Sequence, residues 1–140
     1  MNPTSGTIGP LERLNSFINQ SPTIYEKAGA EIKAPAHKAV MYDAGGDVVI
    51  ATDASRAIGV ILSSSPDPIA AGAPVHVLVK DIGLLEAGGA IDKGDFVTIN
   101  AAGQGVKAAS GSFIFGRALT APKEAGEAVQ VQINPMGRMA

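Results

Sequence analysis

KAPAHKAVMYDAGGDVVIAT, residues 33–52, is the stretch from which the fold is read. Val40 and Tyr42 lead into Ala44-Gly45-Gly46, and Val48-Val49-Ile50 follows. That order predicts a strand, a glycine turn and a second strand. The segment also carries His37, Asp43 and Asp47, but their spacing matches no catalytic or metal-binding set. The aspartates read as turn residues, where a short carboxylate caps nearby backbone N–H groups.

The same grammar recurs along the chain. PVHVLV, residues 74–79, places Val75, Val77 and Val79 on one face of a strand. Phe96-Val97-Thr98-Ile99 is another strand, turned by Asn100-Ala101-Ala102-Gly103. Phe113-Ile114-Phe115 and Val129-Gln130-Val131-Gln132-Ile133 complete the set. DIGLLEAGG, residues 81–89, reads differently and is expected to hold a short helical turn. Three echoes link the two parts of the chain. AGAEI at 28–32 matches AGGAI at 87–91, AIGVIL at 57–62 matches FGRAL at 115–119, and AGAPVHVLV at 71–79 matches AGEAVQVQI at 125–133. They suggest an internal repeat, 28–79 and 87–133. Two explanations stand: duplication, or shared turn chemistry, since Ala-Gly before a strand is common. The predicted fold class is mainly β, a compact barrel-like or sandwich-like domain over 28–140.

Composition agrees with that class. The chain has 140 residues, 46% of them apolar, which suffices for a buried core. Aromatics are 4% and Trp is absent, so the core must be Val, Ile, Leu and Ala. Seventeen Gly and nine Pro imply frequent turns. A net charge of −2 leaves no basic stripe for a phosphate backbone, so no direct nucleic-acid contact is expected. No apolar run is long enough to span a membrane, and the N-terminus lacks a signal-peptide layout. With no Cys, and with His37 and His76 far apart, no metal site is expected. The Gly-rich stretch at 88–95 lacks the Gly-Lys-Ser/Thr of a phosphate loop, and no nucleophile elbow occurs. The reading names no catalytic residue and no cofactor.

Residues 1–27 differ. Pro3, Gly6, Gly9 and Pro10 break the first ten residues into an arm that cannot fold alone. Leu11, Leu14, Phe17 and Ile18 then form one apolar stripe, predicting a helix over about 11–20 that Ser21-Pro22 ends. So short a helix is marginal alone in water and must dock on its own body or on a neighbour.

Taken in order, Lys33-Ala34-Pro35-Ala36, Val40-Met41-Tyr42-Asp43, Val48-Val49-Ile50-Ala51, Asp53 and Ala57-Ile58-Gly59-Val60-Ile61-Leu62 resemble the central segment of the head decoration proteins of lambda-like phages. Gly94-Asp95-Phe96-Val97 and Gly116-Arg117-Ala118 are similar to the broader family of phage capsid cement proteins. The likeness spans roughly 28–133. No single motif is specific, and the ordered series carries it. The helical segment at 11–20 has no counterpart in the lambda-like pattern.

The resemblance implies a β-tulip fold and a structural, non-enzymatic homotrimer. Such a protein is made in the host cytoplasm and resides on the outer surface of the virion. It binds the major capsid protein at three-fold and quasi-three-fold sites of the expanded icosahedral head and resists the pressure of packaged DNA. It further implies that the arm makes the capsid contact, here through Thr7, Ile8, Leu11, Leu14, Phe17 and Ile18. Lys33, Ala34, Pro35, Ala36, Asp43 and Gly59 would be scaffold. The alternative is a virion-attached host- or glycan-binding module of the head-fibre type, which the scarcity of aromatics disfavours.

Overall fold

The computed structural model describes residues 22–140. The helix expected at 11–20 and the arm residues Thr7, Ile8, Leu11, Leu14, Phe17 and Ile18 lie outside the described residues. The first half of the described chain holds β1 (Thr23–Lys27), β2 (Ala39–Tyr42), β3 (Val48–Ile50), β4 (Gly59–Ile61) and β5 (Pro74–Leu78). The second holds β6 (Asp81–Glu86), β7 (Phe96–Ile99), β8 (Gly105–Lys107), β9 (Phe113–Ala118) and β10 (Ala128–Arg138). A 3₁₀ turn at Ala54–Arg56 is the helical element among the described residues.

The opening hairpin forms for a local reason. Val40 faces Ile50 and Tyr42 faces Val48 in the β2–β3 ladder. At the tip, Asp43 Oδ1 accepts from the N–H groups of Gly45 and Asp47 at 2.9 and 3.0 Å. Gly46 supplies the positive φ, +86°, that the turn needs. The β7–β8 hairpin repeats the device. Asn100 Oδ1 accepts from Ala102 N–H and Gln104 N–H at 2.9 and 3.0 Å, and Gly103 has φ +75°.

Each half forms one antiparallel sheet of five strands, in the orders β1-β5-β4-β2-β3 and β6-β10-β9-β7-β8. The two orders are the same when the strands are counted from the start of each half. One parallel bridge in each half, Ala28 to Val48 and Ala87 to Gly105, ties the residue after the first strand to the third strand. Each sheet therefore rolls around its own core without closing into a barrel. The three sequence echoes fall at equivalent places: after the first strand, in the fourth strand, and leading into the fifth.

Two apolar clusters result. One, with Val40, Val48, Ile61, Ile69, Val75 and Val77, fills the first sheet. The other, with Leu85, Ile91, Val97, Phe115, Val129 and Val131, fills the second and extends to Ala39, Ala51, Val60 and Leu78 of the first. Ala39, Val60 and Leu78 lie on the first sheet's outward face, with Ala51 just past β3, so the two sheets stack as layers.

Two segments differ from the sequence expectation. DIGLLE forms strand β6 rather than a helical turn. It runs antiparallel along β10 from Asp81–Ile133 to Glu86–Ala128, and that pairing overrides a Leu-rich stretch with weak strand signals. Residues 23–27, which composition groups with the arm, form β1 on the edge of the first sheet against β5.

Candidate functional site

Among the described residues, no three His, Cys, Asp or Glu side chains converge to hold a metal ion. The polar residues singled out from the sequence hold the scaffold. His37 has a left-handed backbone, φ +66°, in the turn before β2, and its N–H donates to Ile61 O at 3.0 Å. His76 packs edge-on to Tyr25, their rings 4.3 Å apart. Asp43 caps the β2–β3 turn, and Asp47 lies 3.8 Å from Lys27. Asp53 accepts from the hydroxyl and N–H of Ser55, and these bonds hold its carboxyl below the usual range.

The residues of the family-like motif sit together in the loop before β2 and in the strands that follow. Lys33 is exposed and 4.0 Å from Glu31. Ala34, at φ +47°, donates its N–H to Asp67 Oδ1 at 3.0 Å, and Pro35 is buried. Ala36 is half-buried. Gly59 lies where a Cβ would collide with the Leu78 carbonyl oxygen.

Between the two sheets runs a polar seam. Lys38 Nζ lies 3.2 Å from Glu86 and donates to Ala34 O at 3.0 Å. Glu86 also accepts from Gln104 Nε2 at 2.7 Å, and its backbone N–H donates to His37 O at 2.8 Å. Gly103 O accepts from Ala39 N–H at 2.8 Å. These bonds fix how the sheets meet.

Three exposed large apolar side chains, Ile82, Leu84 and Met136, stand on the second sheet. Ile82 and Leu84 of β6 are 54% and 44% exposed, large values for side chains of their kind. Cross-strand pairing extends Ile82 into a row on one face: Ile82, Gln132, Arg117, Phe96. The Arg117 guanidinium lies over the Phe96 ring, 4.4 Å from its centre. Beside the row, a groove of about 290 Å³ opens at the sheet junction, lined by His37, Val60, Leu62, Leu78, Ile82 and Leu84 among others. Tyr25, 72% exposed, stands on edge strand β1.

Sequence reasoning missed Ile82 and Leu84 because it read residues 81–89 as a helical turn, and it placed Arg117 only within a family-like motif. The signal was present. AGAEI and AGGAI are equivalent, so the segments before them, TIYEK and DIGLLE, must be the same kind of element.

The profile of the phage cement protein family matches residues 44–133. The fold is similar to the head fiber gp8.5 N base of bacteriophage phi29, with a TM-score of 0.60 at 19% identity, over 84% of this chain and 97% of that one. No curated protein sequence matches.

Proposed function

The chain belongs to the phage cement protein family, and from that premise we propose that it is a homotrimeric cement protein that binds the major capsid protein. It is a structural virion protein of the capsid surface. In our reading it sits at three-fold and quasi-three-fold positions of the expanded head and stabilises the shell against internal DNA pressure. The family match over residues 44–133 carries this reading. The capsid contact is assigned to the arm, with Thr7, Ile8, Leu11, Leu14, Phe17 and Ile18 as anchors. The polar, Gly/Pro-broken composition of the first ten residues and the apolar stripe after them support that assignment. A segment that orders on binding loses entropy as it does so. Backbone pairing along a sheet edge and simultaneous contacts by several copies offset that loss.

The test is co-sedimentation with undecorated expanded heads. Full-length protein is expected to pellet with heads, and a version lacking residues 1–20 is not. Equal binding by both would move the contact to the body. Binding by neither would remove the cement reading. A second reading, a virion-attached host- or glycan-binding module, is favoured by the likeness to a head-fibre base. Binding of host cells or glycans by the free protein, without affinity for heads, would select it.

A further inference from the structure

The equivalence of the two halves extends to their outward faces, and there the halves differ in what covers them. In the first sheet, direct cross-strand neighbours form the row Thr23, Leu78, Val60, Ala39. The equivalent row of the second sheet is Ile82, Gln132, Arg117, Phe96. The first row is covered by the second half. Val60 and Ala39 are 2% and 0% exposed. The backbone at Gly83 comes so close that a Cβ there would meet Leu78 Cδ2 at 2.5 Å and Val60 Cγ2 at 3.3 Å. Gly103 packs on Ala39 in the same way: a Cβ there would lie 3.0 Å from the Ala39 carbonyl oxygen. Nothing among the described residues covers the second row in a comparable manner: Ile82, Arg117 and Gln132 are exposed.

The receiving surface has a counterpart in the first half, with Ile24, packed on its own half's core, where Gly83 stands. In the second half it comprises Gly83, Glu86 and Gly103. Their equivalents in the first half are Ile24, Lys27 and Gly46. Gly46 has the same left-handed backbone as Gly103, φ +86° against +75°, but open space where Gly103 meets Ala39. Charge follows the same plan. Lys38 and Glu86 form the ion pair that joins the halves, at 3.2 Å. The residue equivalent to Lys38 is Asp95, in the matching turn before β7, and the residue equivalent to Glu86 is Lys27. The signs are exchanged and stay complementary, and Asp95 is held within its own half by Lys107, at 3.7 Å, and by the Asp92 N–H, at 3.0 Å. Glu86 holds Gln104 within its own half and Lys38 across the junction. Lys27 holds the equivalent Asp47 within its own half, at 3.8 Å, while its side chain remains 62% exposed.

We propose that the outward row of the second half, Ile82, Gln132, Arg117 and Phe96, docks on β1 and the β2–β3 turn of a second copy of this chain. The contact uses between copies the elements that the two halves use within one, at the wider spacing that Ile24 in place of Gly83 requires. Asp95 of one copy then pairs with Lys27 of the next. The composition fits that use. Leu78, Val60 and Ala39 of the row inside the chain are apolar, because they stay buried in the folded protein. The outward row substitutes an aromatic ring and an arginine, residue types enriched at interfaces between separate molecules. The contact is head-to-tail, so it closes into a ring or continues as a chain according to the rotation between the halves. The inference rests on the self-association proposed above and names the surface for it.

The chain has no cysteine, which permits a direct test. The variant Lys27→Cys/Asp95→Cys, treated with a short bis-maleimide, is expected to yield covalent oligomers on a denaturing gel. Either single-cysteine variant is expected to run almost entirely as monomer. In parallel, light scattering gives the native mass. Lys27→Asp or Asp95→Lys alone is expected to raise the concentration needed for assembly at least tenfold. Lys27→Asp/Asp95→Lys, which restores opposite charges across the contact, is expected to recover part of that loss, the remainder being the repulsion each substitution meets from Asp47 and Lys107 of its own chain. An oligomeric wild type without cross-links and without sensitivity to the charge changes would overturn this surface and leave self-association standing. A monomeric wild type at high concentration would overturn both.

Discussion

Gly59 and Gly116 occupy the same place in the two halves of the fold. A Cβ on Gly59 would run into the Leu78 carbonyl oxygen and come within 2.8 Å of Val77 Cγ1. A Cβ on Gly116 would run into the Gln132 carbonyl oxygen and come within 2.7 Å of Val131 Cγ1. Neither glycine has a positive φ. The requirement at both is therefore close approach of two backbones, not a special conformation. Gly59→Ala and Gly116→Ala are each expected to cost about 1–3 kcal/mol, the usual penalty for overpacking a filled interior. Thermal unfolding should show two drops of similar size. A tolerated alanine at one site and not the other would mean that the halves are less alike than their strand order suggests.

The turn caps give a second comparison. Asp43 and Asn100 each accept two backbone N–H groups through one side-chain oxygen. An amide oxygen serves as well as a carboxylate oxygen in that role. Asp43→Asn should be close to neutral, whereas Asp43→Ala and Asn100→Ala should each lose about 1–2 kcal/mol in urea denaturation. A large loss in Asp43→Asn would assign the carboxylate's charge a greater share than the turn.

Much of this architecture is legible in the sequence because turns carry specific chemistry. Ala44-Gly45-Gly46 and Asn100–Gly103 mark hairpins that pair as their flanking residues predict. Val75 and Val77 are buried as their alternation requires. What is not legible is pairing at a distance. β6 becomes a strand through β10, forty-odd residues onward, and its own residues Ile82 and Leu84 are exposed, so no buried alternation announces it. The outward row escapes for the same reason, since Ile82, Gln132, Arg117 and Phe96 come from four strands. The sequence does place Asp43 and Gly59 within a scaffold motif, and their geometry is that of turn and packing residues. The arm anchors rest on the composition of the first twenty residues and on the family resemblance.

The turn preceding each second strand yields a prediction of opposite signs. Lys38 N–H donates to Pro35 O and Asp95 N–H to Asp92 O, at 3.1 Å in both turns. The third residue is left-handed in each: His37 at φ +66° and Gly94 at +91°. A side chain in that region costs roughly 1–2 kcal/mol. Gly94→Ala should therefore destabilise by about 1 kcal/mol. His37→Gly should stabilise by about 0.5 kcal/mol, because relief of the backbone exceeds the added freedom of the unfolded chain. Loss of stability in His37→Gly would show that the imidazole contributes to the sheet junction through the groove it lines.

Tyr42 sets an alkaline limit. Burial, then its hydrogen bond to Glu26, then that carboxylate's charge push the phenol up to about 12 from its ordinary value of 10.0. The folded state thus binds the proton more tightly than the unfolded chain. The resulting stabilisation is fully present below pH 10.0 and is lost as pH rises through about 12. Wild-type stability should fall across that window, and Tyr42→Phe should flatten this part of the profile. Equal slopes in the two proteins would remove Tyr42 as the cause.

Lys38 and Glu86 join the two sheets, and the partial burial of both decides how much that junction is worth. Their side chains are 13% and 24% exposed. A fully exposed pair would contribute under about 1 kcal/mol, and loss of one partner from a fully buried pair would cost about 3–5 kcal/mol. This pair falls between. Lys38→Met removes the cation and the bond to Ala34 O, leaving Glu86 with Gln104 and the surrounding backbone. A loss of about 1–2 kcal/mol is expected. Glu86→Leu removes the acceptor of two side-chain groups and leaves Lys38 facing apolar surface, with a similar loss. Combining the two substitutions removes both orphaned charges together. The double variant should therefore lose less than the sum of the singles, by about 1 kcal/mol. Urea denaturation of the four proteins measures that coupling. Strict additivity would mean that the junction is held by the apolar contact of Leu78 and Val60 with Gly83. In that case the ion pair would set only the register of one sheet on the other.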